Sequence, residues 1–289
     1  MANGIIIIDK PADWTSMDVC AKLRGILRER RVGHGGTLDP MATGVLPVFV
    51  GSATKAVEFA EKGDKEYIAG LRLGLVTNTQ DVTGEVLSRS AGIPDRAALE
   101  AALPRFTGPI AQVPPMFSAI KREGKKLYEL ARAGKEVHRE PRPVTIHALE
   151  ILEQAGPGDY LLRVRCSKGT YVRTLCHDIG AALGCGGCMY SLRRTMAAGF
   201  TLSEAVTLER VMEERDALLL PTDHFFRNYP AFSLATPRQE ALCRNGNPLP
   251  VRGLSENQLY RVYGRAGDFL CLSRFAAGQL VSVKNFFGG

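Results

Sequence analysis

Four glycines and one proline fall within residues 32–44, the stretch VGHGGTLDPMATG. No regular helix tolerates that density, since an interior glycine costs about 1 kcal/mol and a proline about 3 kcal/mol relative to alanine. The stretch therefore reads as a loop, and it is flanked by periodic segments. Ahead of it, Ser16 can cap a helix carrying Val19, Leu23, Ile26 and Leu27 on one face, with Arg24, Arg28 and Arg31 largely off that face. After it, residues 45–50 (VLPVFV) resume as a strand. One carboxylate, Asp39, is thus suspended in a glycine-bordered loop between a cationic helix and a strand. Pro40 biases Asp39 away from the α region, and the glycines let a large ligand approach the backbone. A lone Asp-Pro step is usually a turn initiator. Here it lies beside His34 and a basic helix, which a plain turn does not require.

Elsewhere strands and helices mix without a regular alternation. Strands are expected over 5–8, 65–73, 83–87, 144–152, 160–167 and 189–196, and helices over 95–105, 125–133, 171–183 and 207–214. Gly134 would close the second of these helices in a left-handed conformation. Pro109, Pro114 and Pro115 mark an extended connection. A boundary is expected near 228–230, giving one domain over 1–228, with a basic insertion at about 106–142, and a second over 229–289. In the second, a helix at 237–243 and short β runs at 259–262, 269–273 and 280–283 suit a small β-barrel. Irregular mixing favours an α+β fold over a regular α/β one.

The chain has 289 residues, with 37 Lys/Arg against 30 Asp/Glu. The net charge of +7 is concentrated: residues 118–142 carry eight basic and four acidic side chains, and residues 230–289 seven and three. Two such patches point towards a polyanionic partner. The longest clean apolar runs are far shorter than the roughly 20 residues of a spanning helix, so no membrane association is expected. Asp9 and Lys10 interrupt the N-terminal isoleucine run before a secretory core could form. Seven scattered cysteines suit reduced thiols in the cytoplasm rather than a disulfide framework. Cys185 and Cys188 form a CxxC, but no second pair follows to complete a zinc site, and a structural role in a glycine-rich turn is the simpler reading. No P-loop, dinucleotide-binding glycine pattern or nucleophile elbow is present.

Residues 31–47, RVGHGGTLDPMATGVLP, resemble the catalytic loop of the tRNA pseudouridine synthase B (TruB) family, G-H-x-G-x-L-D-P-x-A-x-G-x-L-P. Further motifs follow in order. Asp9-Lys10-Pro11 with Thr15-Ser16 is similar to the family's first motif, and Lys65 to Tyr67 to its K-x-Y strand. PPMFSAIK at 114–121 and GKKLY at 124–128 resemble its RNA-binding insertion. CSKGTYVR at 166–173 resembles its third catalytic motif, and Leu192-Arg193-Arg194 its fourth. The ordered matches span about residues 4–196, and the last 60 residues match only in character. Asp13, Gly35, Phe117 and Asn78 depart from the family's usual residues; none is the nucleophile.

The resemblance implies a mixed, largely antiparallel pseudouridine-synthase sheet with flanking helices and a PUA-like C-terminal barrel. It implies conversion of a uridine in the T-arm of tRNA to pseudouridine, by a monomer without metal or cofactor. Asp39 takes the place of the nucleophile, ionised at neutral pH if its pKa stays near 3.9. Arg173 would orient that carboxylate. Tyr67 would stack on the flipped base and take the C5 proton. His34 would wedge into the vacated loop, Lys10 would support the catalytic loop, and Tyr171 and Leu192 would line the uracil pocket. Two alternatives stay open: a non-catalytic RNA-binding protein of the same fold, and a metal enzyme using Cys185 and Cys188.

Overall fold

The computed structural model describes residues 2–122 and 124–287; Glu123, within the expected insertion, lies outside the described residues. The chain opens with β1 (Gly4–Lys10), whose four isoleucines are all at most 2% exposed. Both faces of this strand are covered: Ile6 and Ile8 pack with the next helix, Ile5 and Ile7 with Phe226 and Phe286 from the end of the chain. That helix, α1 (Ser16–Leu27), is capped one residue earlier than its spacing suggests. Thr15 Oγ1 accepts from the Asp18 N–H (3.0 Å), and Asp18 Oδ2 accepts from the Thr15 N–H (2.9 Å). Reciprocal bonding of this kind satisfies two otherwise orphaned donors, and it frees Ser16 for another task.

β2 (Val32–His34) begins inside the stretch expected to be entirely loop, and β3 (Thr43–Val50) follows it. Then come α2 (Val57–Lys62), β4 (Lys65–Leu73), a hairpin of β5 (Leu75–Thr77) and β6 (Val86–Arg89), and α3 (Arg96–Ala102). β6 lies later than the run expected at 83–87, and α3 gives way to a 3₁₀ turn at Leu103–Phe106, where Pro104 cannot continue an α ladder. β7 (Gly108–Gln112) leads to a small hairpin, β8 (Lys121–Arg122) and β9 (Lys125–Lys126), and to α4 (Leu127–Arg132). Gly134 follows with φ +68°. β10 (Arg142–Gly156), β11 (Asp159–Cys166), α5 (Val172–Ala182), β12 (Gly187–Ala197), β13 (Phe200–Thr201) and α6 (Leu208–Glu214) complete this part.

The central sheet runs β1-β3-β12-β4-β11-β10-β7, antiparallel except for the β3–β12 contact. Leu175 and Ile179 of α5 cover one of its faces, against Leu71, Leu162, Val164 and Met189. The fold is α+β, as the irregular alternation predicts. β3 divides its partners. One edge pairs with β1 throughout; on the other, Thr43 and Gly44 pair with Arg193 and Arg194 of β12, whereas residues 48–50 pair with β2. Only glycine permits that junction: Gly44 has φ +103°, and a Cβ there would collide with the Arg194 carbonyl oxygen. The loop carrying Asp39 emerges from this fork.

Beyond Tyr229 lie β14 (Ala231–Ser233), α7 (Pro237–Arg244), β15 (Leu249–Pro250), β16 (Leu259–Tyr263), β17 (Phe269–Ala276) and β18 (Gln279–Asn285). They form a second sheet, ordered β14-β16-β17-β18-β15, two short strands richer than the sequence suggests. Its Phe269 and Phe286 stack on one another and contact Phe226, so this sheet shares a core with the first. Among the described residues no helix is long and apolar enough to cross a membrane.

Candidate active site

The Asp39 loop is held on both sides of the carboxylate. Ser16, 2% exposed, donates from Oγ to the Leu38 carbonyl (3.2 Å) and accepts from the Leu38 N–H (2.8 Å). Lys10 is fully buried, and its Nζ donates to the carbonyls of Trp14 (2.6 Å), Pro11 (2.8 Å) and Pro40 (3.2 Å). Burial pulls the Lys10 ammonium down to about 8, with Asp13 and Asp39 opposing. Asp13, standing where the family pattern has glycine, adopts φ +64° and donates its N–H to the same Pro40 carbonyl (2.9 Å). The third support is Arg194, 1% exposed. It fills the fork, donating Nε to Val45 (2.7 Å), Nη2 to Gly36 (3.1 Å) and Nη1 to Thr37 (3.4 Å), all carbonyls.

So fixed, the Asp39 side chain meets Arg173, two residues into the face-covering helix α5. Arg173 Nη2 lies 2.9 Å from Asp39 Oδ2 and 3.2 Å from Oδ1. Its Nη1 is 3.6 Å from Asp81 Oδ2. Asp81 is 4% exposed, and its other oxygen accepts from Thr79 Oγ1 (2.9 Å), the Thr83 N–H (2.9 Å) and Thr83 Oγ1 (2.5 Å). The substitution at Asn78 leaves this cage alone, because Asn78 Oδ1 accepts from the Glu85 N–H (3.0 Å) at the loop surface. Burial raises the Asp39 carboxyl above its ordinary value; Arg173 opposes this, Asp81 adds to it, and Lys10 opposes it. The carboxylate is therefore less acidic than its unperturbed value suggests.

Asp39, Tyr67, Tyr171, Arg173 and Leu192 line one cavity of about 460 Å³. Tyr67 projects from β4 opposite Arg194 of β12, and its phenol is pushed up by burial, with the Arg194 guanidinium opposing. His34 and Lys10 are not lining residues. His34 sits on β2, where burial and Arg194 lower its pKa and keep the ring neutral, and its Nδ1 is buried without a hydrogen-bond partner among the described residues. Lys65 and Ser118 line the cavity; both lie within the motifs quoted from the sequence, but neither was given a role in the site. Lys65 Nζ is tied to the carbonyls of Gly63 (2.6 Å) and Glu61 (2.7 Å), and burial lowers it to about 8. Ser118 Oγ is buried without a partner among the described residues, facing a site that could supply one. Period-two alternation was the available signal for Lys65 and Arg194: each shares a strand face with a residue already chosen, Tyr67 and Leu192.

Cys185 and Cys188 are buried away from this cavity, Cys185 Sγ donating to the Gly186 carbonyl (3.2 Å) and Cys188 pushed up to about 11 by burial. Among the described residues no group of three or more metal-ligating side chains is assembled.

The resemblance to known proteins extends along almost the whole chain. Residues 24–172 match the family described as TruB family pseudouridylate synthase (N terminal domain), and residues 173–227 match the tRNA pseudouridylate synthase B C-terminal domain. The tRNA pseudouridine synthase B of Cupriavidus metallidurans is 43% identical, over 96% of this chain and 92% of that protein. The protein of the same name from Burkholderia lata is 45% identical, over 98% and 90%. In the crystal structure of a Cbf5-Nop10-Gar1 complex, one chain superposes with a TM-score of 0.74 at 26% identity, covering 99% of this chain and 85% of that one. A carboxylate–arginine pair lining a cavity is common to many enzymes; it is the two family models and these relatives that identify the chain as belonging to the TruB family of pseudouridylate synthases.

Proposed function

We propose that this pseudouridine synthase acts on tRNA, isomerising a uridine of the T-arm, with Asp39 as nucleophile and neither metal nor cofactor. The observation that carries the reading is the Asp39–Arg173 pair, held at 2.9 Å in the same cavity as Tyr67. A uridine within a folded T-loop is inaccessible, so the base must be flipped out, at a cost of a few kcal/mol. The cavity supports this by its size and by the Tyr67 and Tyr171 rings on its walls.

Ionised Asp39 assists cleavage of the bond between ribose C1′ and uracil N1, as nucleophile or as counter-charge to the sugar cation. Arg173 keeps the carboxylate aimed and favours its charged form against the effect of burial. The uracil turns within the pocket bounded by Tyr67, Tyr171 and Leu192, and C5 bonds to C1′. Loss of the C5 proton and protonation of N1 complete an isomerisation without net redox change. Tyr67 is the group assigned to the C5 proton, His34 to the space the base vacates, and Lys10 to the loop beneath Asp39. Exposed Arg238, Arg252, Arg265 and Arg274, spread over α7, two connections and β17 of the C-terminal segment, would meet phosphates of the same tRNA. The reading places the enzyme in the cytoplasm as a monomer.

Tritium release from tRNA labelled at uridine C5, with a chelator present, tests it. Turnover on intact tRNA and on a T-arm hairpin, lost when the target uridine is changed to cytidine, is the expected result. No release, or release only after metal is added back, would refute it.

A further inference from the structure

The sheet's edge strand reaches the active site through one side chain that the mechanism above does not use. Gln112 is the last residue of β7 and is 2% exposed. Its carboxamide grips the backbone of Tyr171 from both sides: Nε2 donates to the Tyr171 carbonyl (3.1 Å), and Oε1 accepts from the Tyr171 N–H (2.8 Å). Tyr171 is the N-cap of α5 and has no side-chain capping bond of its own. Gln112 thus does for the helix start what a neighbouring strand does for a ladder, using a side-chain amide in place of a peptide. Two residues on lies Arg173. On its other flank, Thr174 Oγ1 donates to Gln80 Oε1 (2.6 Å), so the arginine is bracketed.

Gln112 also marks the root of the RNA-facing insertion. In the β7–β10 ladder its partner is Arg142, so the chain leaves the sheet immediately after Gln112 and re-enters opposite it. The excursion between them contributes Phe117, Ser118, Ala119 and Tyr128 to the cavity wall. Whatever force bound RNA exerts on this excursion is delivered to the sheet at the Gln112–Arg142 pair. From there a single carboxamide connects to the helix bearing Arg173.

We propose that Gln112 is a positioning residue of this enzyme, setting the start of α5 and hence the aim of Arg173, and coupling it to the RNA-contacting insertion. The proposal rests on the reading that Asp39 and Arg173 are the reacting pair. Placement errors of about 1 Å at such a group can lower a rate by about 100-fold, so the effect belongs in kcat.

The test compares wild type with Gln112→Met, which keeps length and removes both bonds, and Gln112→Glu, which keeps the acceptor and sets a carboxylate oxygen against the Tyr171 carbonyl. Tritium release from C5-labelled tRNA gives kcat and KM, filter binding in an Asp39→Asn background gives Kd, and thermal unfolding reports the fold. The expected result is a kcat lowered about tenfold or more in Gln112→Met and at least about threefold in Gln112→Glu, with Kd unchanged within about threefold. Unfolding midpoints should stay well above the assay temperature. Unchanged kcat in both variants overturns the proposal. So does weaker Kd at full kcat, which would leave Gln112 serving RNA contact alone, or a loss matching only the unfolded fraction. A wild type that releases no tritium defeats the underlying reading instead.

Discussion

Replacing Ser16 by alanine removes one oxygen atom, and with it both hydrogen bonds that hold Leu38, the residue immediately before the candidate nucleophile. Ser16 and Leu38 are 2% and 3% exposed, so bulk water has no ready access to either orphaned Leu38 group. Each such bond contributes about 1 kcal/mol net, giving a loss of about 2 kcal/mol. In a chain of this size that lowers the unfolding midpoint by about 4 °C. If the whole loss appears as misaimed Asp39 in the transition state, kcat falls about 30-fold, since 1.36 kcal/mol is a factor of ten. Differential scanning calorimetry and the tritium assay measure the two consequences separately, with RNA affinity expected to hold. A midpoint lowered as calculated beside an unaltered kcat would refute the reasoning, because Ser16 would then stabilise α1 without constraining the loop.

Asp39→Asn should abolish pseudouridine formation while leaving tRNA affinity within a few fold, as measured by filter binding. The same variant should melt higher than wild type at neutral pH: burial raises the folded carboxyl above 3.8, so ionised Asp39 weakens the fold, and the gain should vanish as acid protonates it. For the same reason, kcat against pH should fall on the acid side with a midpoint above that of a free aspartate. Tyr67→Phe should stall before loss of the C5 proton, whereas Tyr67→Leu should also weaken binding by about 1–3 kcal/mol through lost stacking; wild-type rates in the Phe variant would assign the proton elsewhere. Changing Arg252, Arg265 and Arg274 together to Gln should raise KM for tRNA and flatten its salt dependence at constant kcat. Deleting the whole C-terminal sheet is a poorer test, because Phe226 would lose Phe269 and Phe286.

Local chemistry made much of the frame legible. The β-branched run of β1, the glycine at 134 and the period-two strands flanking the 156–159 turn each follow from one-residue rules, whereas the helix expected to reach 105 overlooked the proline at 104. Thr15 and Ser16 are both capping residues by type, and nothing local distinguishes the one that caps α1 from the one that turns inward to Leu38; tertiary contact decides. β2 was hidden for a related reason. Gly33 gives no strand signal by itself, and the strand exists only because β3 offers it an unoccupied edge. Asp39 stood out from its glycine-bordered setting, but its pairing with Arg173 spans 134 positions and was readable only through the family resemblance. Arg194 was quoted within a motif but given no role, because two adjacent arginines look like a solvated pair, although alternation sends Arg193 towards Asp9 at the surface and Arg194 into the core.

The fork in the central sheet has a bearing on how the protein is made. Arg194 reaches Val45 across 149 positions of sequence, and Gly44 meets β12 at the same point. Contacts that distant form only after the entropy of closing a long loop has been overcome. As the chain leaves the ribosome N-terminus first, the residues of the Asp39 loop are present long before β12 arrives to fill the gap beside them. Until then the three carbonyls bound by Arg194 lack that partner, and the loop carrying the carboxylate lacks the support that aims it. If Asp39 is the nucleophile proposed above, catalytic competence comes in one late step of assembly, and an incompletely synthesised or partly folded molecule carries that side chain without the means to use it.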